Sequence, residues 1–156
     1  MANQVLVVID IQNNTTALLL GKKKIINRVN SVIQYFKENH LPIIYVKQSG
    51  AGKIHKGVLV SESDYVITKN KPSSFSSSDF CQILDKLGAT EMVVTGLMSN
   101  ACVQATSKSA LEKGYQVTLI EDGHDSIIKP MRGVFNKILR KKGANLISCT
   151  EFISDK

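Results

Sequence analysis

The sequence predicts an α/β fold: a three-layer α/β/α domain, doubly wound around a six-stranded, mainly parallel sheet. Three observations predict it. Short apolar runs such as VLVVI at 5–9 and IIYV at 43–46 alternate with longer mixed segments, the βα pattern of a parallel sheet covered on both faces. The mixed segments carry apolar residues at helical spacing. No linker, repeat or low-complexity stretch divides the 156 residues, so a single domain over 1–156 is expected.

Each element has its own signal. Strand one is Val5 to Ile9, ending at Asp10. A helix is expected over Lys22 to Asn39, where Ile25, Val29, Val32, Ile33 and Phe36 share one face. Pro42 precedes strand two at 43–46, and the polar, glycine-bearing stretch 48–57 reads as a surface loop. Val66 and Ile67 form a short strand leading to Lys69. The serine-rich loop 71–78 caps a helix over 79–87. Strand four, Glu91 to Thr95, enters a turn at 96–100 and a helix at 101–113 that Gly114 ends. Tyr115 to Ile120 is the fifth strand. Pro130 opens a helix running to Lys142, and Asn145 to Cys149 is the last strand.

Composition narrows the function classes. Hydrophobic residues make up 43% and no apolar run reaches the roughly 18 residues of a membrane span, so no membrane partner is expected. The N-terminus reads as a first strand rather than a signal peptide, which makes the cytoplasm the expected location. Cys81, Cys102 and Cys149 are odd in number and widely spaced. They predict free thiols rather than disulfides or a CxxC metal site. Net charge is +7, but the runs Lys22-Lys23-Lys24 and Arg140-Lys141-Lys142 border helices and read as solvated surface. No zinc-finger spacing, RNP-like strand or basic-region repeat accompanies them, so no nucleic-acid partner is expected.

Ligands of an open parallel sheet bind beyond the carboxyl ends of its strands. Three reactive residues fall there: Asp10, Lys69 and Cys102. Near a helix N-terminus, Cys102 would be favoured as thiolate, and the same amides suit an oxyanion. Alone, it also fits a small buried hydrophobe. Asp10 fits a general base or a turn cap. Lys69 fits an electrostatic partner or a surface charge. Cys81 and Cys149 read as packing thiols.

Three motifs sharpen this. VVIDIQNN at 7–14, VITKNKPSSF at 66–75 and VVTGLMSNACVQATSKSALEKGYQVTLIEDGHDS at 93–126 stand in the order found in the isochorismatase-like cysteine hydrolases. The chain resembles that superfamily, which includes nicotinamidases and N-carbamoylsarcosine amidase, nearly end to end. The resemblance implies Cys102 as nucleophile, Asp10 as general base and then acid, and Lys69 as their orienting cation. It implies an oxyanion hole from the Met98 and Cys102 amides and a non-proline cis bond at Leu97–Met98. It also implies a small-molecule substrate and a homo-oligomer.

Gln12, Asn13, Tyr45, His55, Phe75 and Ser99 are candidate substrate-binding or supporting residues, with core packing the alternative for the aromatics. His124 is similar to a histidine often found after the family's fifth strand. Some positions depart from the pattern. Asn14 and Thr15 replace the usual Asp-Phe, and YVKQSGAGKIHKG at 45–57 lacks the Asp-x-His of the metal-binding nicotinamidases. A metal-free branch without cofactor is therefore expected, hydrolysing a small amide, ureido or related C–N bond. The alternatives are vinyl-ether hydrolysis of the isochorismatase type, which the presence of Cys102 argues against, and a non-hydrolytic reactive-thiol or small-molecule binding protein.

Overall fold

The computed structural model describes residues 3–154. Six strands, β1 (Gln4–Ile9), β2 (Ile43–Gln48), β3 (Tyr65–Lys69), β4 (Glu91–Leu97), β5 (Gln116–Asp125) and β6 (Asn145–Ile147), form one sheet in the order β3-β2-β1-β4-β5-β6. All pairings are parallel. The chain winds outward from β1 to β3, then returns to lay β4 against β1 and winds outward the other way. The direction of winding reverses between β1 and β4, and the carboxyl edge at such a reversal is where ligands of open parallel sheets bind.

Strand alternation sorts the core into two layers. Leu6, Val8, Ile43, Tyr45 and Val93 meet α2 (Lys22–Glu38) and α6 (Cys149–Ser154) through Ile25, Val29, Ile33, Phe36 and Phe152. Val5, Val7, Ile9, Ile44 and Val46 meet α3 (Ser78–Leu87), α4 (Gln104–Glu112) and α5 (Met131–Lys141) through Phe80, Leu84, Ala110 and Leu139. Central β1 is buried on both faces, which is why it reads as an unbroken apolar run. The remaining helix, α1 (Asn13–Thr16), is a single turn.

The last two strands differ from the sequence expectation. β5 runs on to Asp125; beyond an irregularity between Val94 and Gly96, Gly96 pairs with His124 and Leu97 with Asp125. β6 stops at Ile147, and Cys149 opens α6 instead of ending the strand. Ser148 explains this: its hydroxyl accepts from the Glu151 amide at 3.1 Å and donates to the Glu151 carboxylate at 2.9 Å, so SCTE is a helix start.

Both basic runs are exposed. The first begins α2 and the second lies at the end of α5, on opposite layers. The topology places them at opposite edges of the sheet, so they do not form one continuous stripe. Among the described residues no helix is long and apolar enough to cross a membrane.

Candidate active site

Four strand ends deliver polar side chains to this carboxyl edge. Asp10 leaves β1 with φ 52°, a left-handed conformation that aspartate tolerates better than most residues. Its backbone is held on both sides. The Asp10 amide donates to Val46 O at 2.9 Å, and the Thr15 hydroxyl donates to Asp10 O at 2.5 Å. Lys69 ends β3 with its side chain wholly buried. Gln48 ends β2, and Cys102 lies in the turn after β4.

Lys69 Nζ joins the group. It donates to Asp10 Oδ2 at 3.0 Å, Gln48 Oε1 at 2.6 Å and Cys102 Sγ at 3.4 Å. An ammonium has three donors, and all three are used. Gln12, fully buried, fixes the frame: its amide donates to Gln48 O and Gly52 O, and its oxygen accepts from the Gln48 amide at 2.8 Å. One acceptor is left over. Asp10 Oδ1 is buried and has no hydrogen-bond partner among the described residues.

Burial sets the proton affinities. It raises the Asp10 carboxyl above the ordinary carboxylate value, against the opposing pull of Cys102 and Lys69. It pushes the Cys102 thiol up to about 11; the Asp10 carboxylate adds to this and Lys69 opposes it. Cys102 is therefore a protonated thiol at neutral pH. This reverses the thiolate expected from a helix start. Cys102 does not occupy a free helix end: a π turn, Ser99–Val103, precedes α4, and the thiol is half-buried beside a carboxylate.

The turn itself depends on close backbone contact. Gly96 has φ 124°, and a Cβ there would sit 2.1 Å from Ile9 O, so only glycine permits β4 to lie against β1 at this point. The Leu97–Met98 bond is cis. Met98 O then accepts from both Ala101 N and Val103 N at 3.1 Å, folding the chain back toward Cys102.

Other candidates fall in different places. Ser99 is buried in the turn, and Asn13 is exposed at the start of α1. His55 is a half-buried loop residue whose Nδ1 accepts from Gly57 N; its neighbour Ile54 bridges to Gln12. Tyr45 and Phe75 are not with the trio. Tyr45 faces the α2 layer, and its hydroxyl donates to Leu59 O. Phe75 packs edge-on to Phe80 and lines a separate cavity of about 510 Å³ with Cys81, Asp85, Lys113 and Tyr115. Gln48 was missed, although a polar residue closing an apolar strand is the same signal that marked Asp10. Among the described residues no three His, Cys, Asp or Glu side chains converge. One carboxylate and one thiol around a buried ammonium do not fit a metal.

A family model described as the isochorismatase domain matches residues 4–151. The isochorismatase family protein YddQ of Bacillus subtilis is 32% identical over 134 residues, covering 75% of this chain and 74% of that protein. Nicotinamidase 3 of Arabidopsis thaliana is 25% identical over 142 residues, covering 75% and 70%. In shape, an isochorismatase-like hydrolase from Alkaliphilus metalliredigens superposes with a TM-score of 0.88 at 20% identity, covering 99% of each chain.

Proposed function

This chain belongs to the isochorismatase family of hydrolases, and from that premise we propose that it hydrolyses a small amide, ureido or related C–N bond through an acyl-enzyme on Cys102. The observation that carries the reading is the unpaired, buried Asp10 Oδ1, on a carboxylate that Lys69 ties to the Cys102 sulfur. An acceptor left open beside a protonated thiol is what a general base needs.

In the proposed reaction Cys102 sulfur bonds to the substrate carbonyl carbon as its proton passes to Asp10. The displaced π electrons collect on oxygen, facing the Met98 and Cys102 amides. Collapse breaks the C–N bond, and the leaving amine takes the proton from Asp10. Water then attacks the thioester, giving a proton to Asp10, and the acid departs as the thiol recovers that proton. Lys69 orients both partners through its bonds to Asp10 Oδ2 and Cys102 Sγ. The amide reading is also supported by a nicotinamidase among the relatives. A reactive-thiol sensor would need a low-pKa thiolate, the opposite of what burial imposes here.

The test is a panel of small amides and ureido compounds, assayed for ammonia release with metal chelated. Release that disappears in Cys102→Ala supports the proposal. Turnover that survives in Cys102→Ala overturns it.

A further inference from the structure

Behind the turn that carries Cys102 lies a second polar chain that the proposed mechanism does not use. Ser99 Oγ lies 2.6 Å from His124 Nδ1, and His124 Nε2 lies 2.7 Å from Asn136 Oδ1. Asn136 Nδ2 donates to Glu121 O at 3.0 Å. Ser99 and His124 are both fully buried.

The chain has one hydrogen-bond direction. A backbone carbonyl only accepts, so the Asn136 amide nitrogen faces Glu121 and its oxygen faces the ring. That oxygen also only accepts, so the proton is on Nε2. Nδ1 is then the ring's acceptor, and Ser99 must donate. Burial holds His124 down at about 4, so the neutral ring that this pattern needs is the form present at neutral pH.

Three elements meet in this chain. Ser99 directly follows Met98 and opens the turn Ser99–Val103. His124 belongs to the part of β5 that pairs with Gly96 beyond the irregularity, and Asn136 belongs to α5. A parallel tie, Ser126 Oγ to Asn100 Oδ1 at 3.0 Å, holds the next residue of the same turn. We propose that Ser99, His124 and Asn136 are positioning residues that hold the Met98–Cys102 turn in the orientation its amides need to receive the oxyanion. This rests on the acyl-transfer reading above. Oxyanion donors must be aimed before charge develops, and small errors in aim are costly.

The experiment compares two reactions of the same sulfur, each followed at Cys102 by peptide mass. With p-nitrophenyl acetate, sulfur attacks a carbonyl, an oxyanion forms, and p-nitrophenolate leaves as the thiol proton passes to Asp10. With iodoacetamide, sulfur displaces iodide at a saturated carbon and no oxyanion forms. Ser99→Ala should slow acetylation about 10- to 100-fold and change alkylation less than about threefold. Asn136→Ala, which cuts the chain from α5 without touching the turn, should show the same selectivity with a smaller loss. It also keeps the test open if Ser99→Ala does not fold. Parallel loss of both rates, or loss of neither, overturns the proposal. Wild-type Cys102 acetylated no faster than Cys81 would instead overturn the acyl-transfer reading itself.

Discussion

Two buried polar clusters share the carboxyl edge of the sheet, and they are completed differently. Asp10 and Lys69 form an ion pair beside the neutral Cys102 thiol, and Asp10 Oδ1 has no partner among the described residues. Ser99, His124 and Asn136 carry no charge, and both ring nitrogens are engaged. Burial acts on each in the same sense, favouring the neutral form: it raises Asp10 and Cys102 and lowers His124. The outcomes differ because one cluster keeps an open acceptor and the other does not. A satisfied network rigidifies; an unsatisfied one is available for chemistry.

The largest effect should come from breaking the open cluster. Cys102→Ala should lower turnover of any amide found in the panel by about 10⁴-fold or more. Asp10→Asn should lower it nearly as far, yet urea denaturation at pH 7 should show no loss of stability. The sign follows from linkage. Because the folded Asp10 pKa lies above its unfolded value near 3.8, ionised Asp10 opposes folding as pH rises past that value. Asparagine mimics the protonated form. A marked destabilisation of Asp10→Asn would mean that the carboxylate is held for structure.

Lys69→Met should behave the other way. It strands a buried carboxylate, so it should cost about 3 kcal/mol at neutral pH. The deficit should shrink in acid as Asp10 takes up a proton. Activity should fall as well, since sulfur and carboxylate lose their shared donor.

For the closed cluster the expected signature is a pH slope. His124 is lowered from 6.5 to about 4, so its contribution is fully present above about pH 6.5 and is lost as pH falls toward 4. A shift of that size corresponds to roughly 3 kcal/mol. Arg132 on α5 disfavours the charged ring, while Asn136 and the β5 residues Asp125 and Asp122 favour it. Urea titrations of wild type and His124→Gln between pH 4 and 7 should show this slope only in the wild type.

Much of this was legible in the sequence, for reasons that also mark where reading stops. Asp10 and Lys69 could be found because a charge closing an apolar strand has only the sheet edge to occupy. Gln48 carries the same signal with a neutral group and was passed over. Asn136 gave no local signal, because its role exists only through a ring on another element. Tyr45 depended on strand parity: Ile44 and Val46 face the α3–α5 layer, so Tyr45 faces α2 instead of the Asp10–Lys69–Cys102 cluster. Phe75 follows a capping serine, Ser73, into a 3₁₀ turn that sets it against α3. Which way such a turn faces is a tertiary fact.

Tyr45 offers the smallest test and the sharpest one for where the site ends. It is buried outside both polar clusters, on the strand that also delivers Gln48. Its hydroxyl donates to Leu59 O, in a loop whose Leu59 is 44% exposed, so that carbonyl can turn to water if the hydroxyl is removed. Tyr45→Phe should therefore cost about 1 kcal/mol in urea denaturation and leave kcat/KM for a panel substrate unchanged. A tenfold loss of kcat/KM at undiminished stability would place Tyr45 on the reaction path. The boundary between reactive and structural polar groups would then run deeper into β2 than its carboxyl end.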